Sequence, residues 1–218
     1  MRMIIEFFGL SRTGKTTLME KIRNKNFRTL TETSDLIKLF YFLRRFFKSP
    51  IKVSYLLYKL NRNYLKLKQS SFKKYLQISI MRNSYLIGTL SKYERAITKK
   101  GIVISDELPT QSLFMILQSK STAEEVKKVL AALPLPEILF IFELPKKFRE
   151  LRHKSTRYPA QWIDKSYALD WLENSEFNYE IIKKELLHNP QIKEVKLINS
   201  TQKQKIVLQY IQNLKHSS

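Results

Sequence analysis

The sequence predicts an α/β fold, a parallel sheet of five strands with helices on both faces. Three observations predict it. Short apolar runs recur along the chain: "MIIEFF" (3–8), "FRTLTET" (27–33), "GIVISDE" (101–107), "PEILFIFELP" (136–145) and "KEVKLIN" (193–199). Segments with apolar residues at helical spacing separate them, the pattern of a parallel sheet covered on both faces. No Gly/Pro/Ser-rich linker interrupts the alternation, so residues 1–218 form one domain.

The elements follow in order. The first run reads as a short buried strand, and 14–25 as the helix after it. The second run reads as another strand, after which Ser34 or Asp35 caps a helix. Leu36, Leu39, Phe40, Leu43, Phe46 and Phe47 recur at helical spacing. Ser49-Pro50 suits an N-cap followed by the first helical residue, and Val53, Leu56, Leu57, Leu60, Tyr64 and Leu67 continue the period. A third helical stretch runs from Phe72 through Leu86 and Leu90 to Ile97, and Gly101 ends it. After the fourth strand come a basic helix (146–154) and an irregular loop, "STRYPAQW". Two helices near 166–175 and 176–188, the last strand and a closing helix (201–215) complete the chain.

Composition removes several functions. There is no cysteine, which excludes disulfides, thiolate catalysis and Cys-based zinc sites and fits a reducing compartment. His153, His188 and His216 have no metal-ligand spacing, and neither G-x-S-x-G nor H-E-x-x-H occurs. "MRMIIEFFG" lacks a secretory h-region, and no stretch is long and uncharged enough for a transmembrane span. A cytoplasmic location is expected, with peripheral membrane attachment as its variant. The net charge is +21, and residues 36–100 hold sixteen Lys/Arg against one acid, Glu94. That basic helical region is either a solvated face, a positive cleft that focuses an anionic acceptor, or a surface for anionic lipid or another polyanion.

The most specific signal is Gly9-Leu10-Ser11-Arg12-Thr13-Gly14-Lys15-Thr16, which fits G-x-x-x-x-G-K-[ST] between a strand and a helix. The glycines let the backbone turn tightly and aim several N–H groups at one point. Those groups and the positive end of the following helix form a cradle for phosphate oxygens. Lys15 adds charge near the β- and γ-phosphates, and the Thr16 hydroxyl is placed for Mg²⁺. A Mg²⁺-nucleotide site also needs a carboxylate at a neighbouring strand end. Of four aspartates only Asp106 ends a buried-looking run, as metal-linked group or as cap of a helix at 110–118, with Glu107 as its substitute.

"GLSRTGKTT" resembles the phosphate loop of thymidylate kinases, in the subgroup with an arginine inside the loop. The similarity continues in order through "MRNSYLIGTLSKYERAITKKGIVISDELPTQS", "LPEILFIFELPKKFRELR" and "LINSTQKQKIVLQYI". The resemblance implies a P-loop kinase fold, ATP and Mg²⁺ as cofactors, and phosphoryl transfer. It implies that Gly9, Ser11, Arg12, Thr13, Gly14, Lys15, Thr16 and Thr17 hold the nucleotide, and that Arg12 neutralises the transferred group in cis. It implies that Arg82 binds the acceptor's phosphate. Residues 146–165 become a lid, with Arg152 catalytic and Arg149 and Arg157 on the nucleotide. In related deoxynucleoside kinases a glutamate at the end of the second strand is the base; Glu32 sits there, as base or as cap.

Three departures touch the acceptor. Ser11 replaces the loop aspartate, Asp106-Glu107 replaces Asp-Arg, and "TETSDL" replaces a Pro-Gly-Gly-type segment. The expected function is therefore a kinase moving the γ-phosphate of ATP to a small acceptor, most plainly a nucleotide or nucleoside. The alternatives are a kinase for a sugar or glycan intermediate at a membrane surface, and a non-catalytic ATP-binding partner protein. A homodimer stays open.

Overall fold

The computed structural model describes residues 2–10, 13–24, 27, 29–30, 33–65, 72–143, 165–198 and 201–216. β1 (Arg2–Phe8) is a central strand, with β2 (Gly101–Ser105) on one side and β3 (Ile138–Phe142) on the other. β4 (Glu194–Ile198) adds to β3, and every pairing is parallel. Among the described residues the sheet has four strands, where five were expected. Of the run expected as the fifth strand, 27–33, Phe27, Thr29, Leu30 and Thr33 are described, and Thr29 makes a parallel bridge to Ile104 of β2.

Side chains of β1 alternate between two cores. Ile5 and Phe7 pack with Leu18 and Ile22 of α1 (Lys15–Arg23) and with Val207 and Ile211 of α8 (Thr201–His216). On the opposite face, Phe8 packs with Leu86 of α4 (Phe72–Ala96), Phe114 of α5 (Leu113–Ile116) and Tyr179 of α7 (Lys165–Leu187). Ile4 meets Ala96, Val103 and Leu108 on that same face. α7 is one continuous helix, not the expected two; "ALDWLENSEFNY" contains neither proline nor glycine to break it.

α2 (Asp35–Lys48) and α3 (Pro50–Leu65) form the start of the basic region, and Pro50 opens α3 as its spacing predicts. α2 has no buried residue. It is fastened to α4 by Glu94, the one acid of the segment, which is fully buried. Arg44 Nε meets Glu94 at 3.0 Å, and Lys48 Nζ reaches the same oxygen. Leu36, Phe40 and Phe47 are left 80, 61 and 76% exposed.

α6 (Ala123–Ala132) is not among the expected elements, although its start is legible. Thr122 and Glu125 form a reciprocal capping box: Glu125 N–H donates to the Thr122 hydroxyl, and Thr122 N–H to the Glu125 carboxylate, both at 3.2 Å.

Candidate active site

Parallel strands leave a crevice outside their carboxyl ends, and here β1, β2 and β3 end together. From β1 the chain passes Gly9 and reaches Gly14, the N-cap of α1. Both glycines have positive φ, 151° and 96°. At Gly9 the need is doubly strict, because a Cβ would lie 2.7 Å from the Phe142 carbonyl oxygen at the end of β3. Tyr179 Oη donates to that same carbonyl at 2.9 Å. Phe8, the residue before Gly9, stacks on Phe114 with ring centres 5.1 Å apart.

Lys15 is only 9% exposed. Its ammonium lies across the loop, donating to the carbonyls of Gly9 at 2.6 Å and Leu10 at 2.8 Å. The Thr13 hydroxyl is 3.4 Å from it and itself donates to Leu10 O at 2.9 Å. Thr16 and Thr17 are exposed on the first turn of α1. The α1 amino end, with its positive dipole, and the buried Lys15 ammonium thus belong to one loop, an arrangement suited to an anion.

Asp106 directly follows β2 and is half-buried. Burial pushes its carboxyl up, and Glu107 adds to that, while Arg23 and Lys15 pull it down. Asp106 therefore shares an electrostatic neighbourhood with the loop lysine. Glu107 is exposed and turns to Lys92 of α4 at 2.7 Å. Arg82 is 2% exposed within α4. Three residues further on the same helix, the Tyr85 hydroxyl is pushed up by burial and by the carboxylates of Glu107, Glu6 and Asp106. This stretch of α4 therefore borders the acidic end of β2.

Gly9, Thr13, Gly14, Lys15, Thr16, Thr17 and Asp106 thus meet at one end of the sheet. Ser11, Arg12 and Glu32 lie outside the described residues, as do Arg149, Arg152, Arg157 and, Lys165 apart, the expected lid at 146–165.

Two residues of this site are absent from the expectations. Glu6, in the middle of "MIIEFF", is fully buried on the face toward α4. Burial raises its carboxyl from 4.5 to about 8, partly offset by Thr110 and by backbone N–H groups of the following turn. Gln111 sits in the 3₁₀ turn Pro109–Ser112, and its N–H donates to Glu6 Oε1 at 3.0 Å. The available signal was an acid inside an otherwise apolar strand: such a group needs buried partners.

No protein-family model matches the chain, and neither does any curated protein sequence. Solved structures do. Deoxyadenosine kinase from M. mycoides with bound dATP superposes with a TM-score of 0.51 at 14% identity, covering 97% of this chain and 100% of that one. The same enzyme with its product dCMP gives 0.49 at 17% identity, over 97% and 99% of the two chains. Thymidylate kinase from Ehrlichia chaffeensis gives 0.43 at 15% identity, over 96% and 98%. The chain shares its fold with that deoxyadenosine kinase, in a divergent version.

Proposed function

We propose that the protein is a kinase that transfers the γ-phosphate of ATP to a small acceptor, a nucleotide or nucleoside. The observation that carries this reading is the loop between β1 and α1: two positive-φ glycines, a buried ammonium across the loop, and a helix N-terminus behind it. Phosphate oxygens would take the place of the Gly9 and Leu10 carbonyls as partners of Lys15. Phosphoryl transfer asks chiefly for positioning and charge stabilisation, which such a cradle supplies. The fold-level likeness to a deoxyadenosine kinase supports a nucleoside-type acceptor by analogy.

The donor set also fits Mg²⁺. A carboxylate just after β2 and a hydroxyl on the first turn of α1 are oxygen donors of the kind that Mg²⁺ takes beside phosphate oxygens. Thr16 and Asp106 would hold it, with Glu107 as the nearby substitute, and it would supply positive charge to the phosphates. In the same reading Arg12 and Arg152 stabilise the transferred group. Arg149 and Arg157 close over the nucleotide from the lid, Glu32 takes the acceptor proton, and Arg82 binds the acceptor. The decisive experiment is a screen with labelled ATP across nucleosides, nucleotides and sugars. Label should move to a nucleoside or nucleotide in wild type and not in Lys15→Ala; ATP binding with no transfer to any acceptor would leave only a binding protein.

A second reading, a sugar or glycan kinase at a membrane surface, has its own observation. The outer arc of α2 carries exposed Leu36, Leu39, Phe40, Leu43 and Phe47, with Arg44 and Lys48 on its flank. No described helix is long and apolar enough to cross a membrane. Co-sedimentation with vesicles containing anionic lipid, lost in Phe40→Asp/Phe47→Asp, would favour this reading over the first.

A further inference from the structure

The Gly9 peptide groups have a second occupant besides Lys15. The Gln111 side-chain amide accepts from Gly9 N–H at 3.3 Å and donates to Gly9 C=O at 3.1 Å. Two opposed bonds from one planar amide hold both polar groups of the residue that starts the loop. Gln111 is itself held from behind. Its backbone N–H donates to Leu108 O and to Glu6 Oε1, each at 3.0 Å, and Glu6 stands three residues before Gly9 on β1. Glu6 is also the register partner of Ser105, which precedes Asp106. The metal-side strand end, the 3₁₀ turn and the phosphate loop are therefore one hydrogen-bonded unit.

We propose that Gln111 is a positioning residue for the phosphate loop, set in place by Glu6, whose role is to keep the Gly9 carbonyl satisfied when Lys15 turns from it to a phosphate. The inference rests on the kinase reading above and deepens it. Gly9 O accepts from both Lys15 Nζ and Gln111 Nε2. Moving the ammonium to a ligand removes one donor; without Gln111 the carbonyl in this closely packed bend would lose both, and leaving a buried acceptor unmade is costly. With Gln111 in place Lys15 is exchangeable. No side chain other than an amide of this length offers a donor and an acceptor side by side from this position: leucine offers neither, asparagine is one methylene short, and an ionised glutamate sets an oxygen against the Gly9 carbonyl.

The test compares Gln111→Leu, Gln111→Glu, Glu6→Gln and Lys15→Ala in the full chain. Binding of a non-hydrolysable ATP analogue is measured by calorimetry, and folding by thermal midpoint and circular dichroism. Gln111→Leu and Gln111→Glu should each weaken binding about tenfold or more while remaining folded. Once transfer is measurable, the same variants should raise KM for ATP more than they lower kcat. Glu6→Gln keeps an oxygen to accept from Gln111 N–H and should stay within about threefold of wild type, a conservative rescue that mere loss of packing would not produce. Gln111→Glu is nearly isosteric, so it reports even if Gln111→Leu does not fold. Wild-type binding in both Gln111 variants, with binding lost in Lys15→Ala, overturns this proposal and leaves the kinase reading standing. Unchanged binding in Lys15→Ala overturns both.

Discussion

Replacing Glu6 by glutamine should change how the stability of this protein depends on pH. The folded carboxyl titrates at about 8 instead of 4.5, because it is fully buried beneath the loop. A raised carboxyl binds its proton more tightly folded than unfolded. Its contribution is therefore complete below about 4.5 and is lost as pH rises through about 8. With a pH unit worth about 1.4 kcal/mol, the group removes about 3–4 kcal/mol of stability between pH 5 and pH 8. Glutamine keeps the shape and does not titrate. Urea unfolding of both proteins at half-unit pH steps is the assay. The difference between variant and wild type should grow by about 3–4 kcal/mol across that window in favour of the variant. Curves that stay parallel would mean that the carboxylate is solvated or ion-paired, and that its burial is not what governs it.

The other expectations are simpler. Lys15→Ala should lower phosphoryl transfer by about a hundredfold or more with an unchanged circular dichroism spectrum, since the ammonium's hydrogen bonds to Gly9, Leu10 and Thr13 lie within the loop and not in the core. Gly9→Ala should cost about 2–4 kcal/mol in unfolding free energy, from the positive φ and the 2.7 Å approach to Phe142 O, and an unaffected midpoint would mean the bend relaxes freely. Tyr179→Phe should cost about 1 kcal/mol through its bond to Phe142 O, measured by the same unfolding curves. Glu94→Gln should cost about 1–3 kcal/mol and raise amide hydrogen exchange selectively in α2, because Arg44 and Lys48 lose the charge that fastens them.

Much of the site was legible because its chemistry is local. Glycine is required where φ is positive, and lysine and threonine follow at fixed offsets on a helix start, so a short string of residues carries the geometry of Gly9, Gly14 and Lys15. Asp106 was legible too, as a polar residue terminating a buried run. Gln111 and Glu6 were not. Gln111 reads as an ordinary turn residue until the fold brings it to Gly9, 102 positions away in the chain. Glu6 reads as an interruption until burial and the turn after β2 give it partners.

Local pattern alone determined that this chain alternates strands with helices, that a glycine-rich turn carrying Lys15 follows the first strand, and that the basic stretch is helical over Asp35–Lys48, Pro50–Leu65 and Phe72–Ala96. Tertiary structure decided which way those helices turn. Periodicity puts Leu36, Phe40, Leu43 and Phe47 on one stripe of α2, and the sequence leaves open what that stripe faces. The fold leaves it exposed and turns Phe42 and Phe46 toward the core, with Arg44 and Lys48 reaching Glu94. An apolar stripe in water costs a modest amount per side chain, whereas a buried carboxylate without cations costs far more. The one acid among sixteen bases therefore sets the orientation of the helix, and only the assembled molecule reveals where that acid lies.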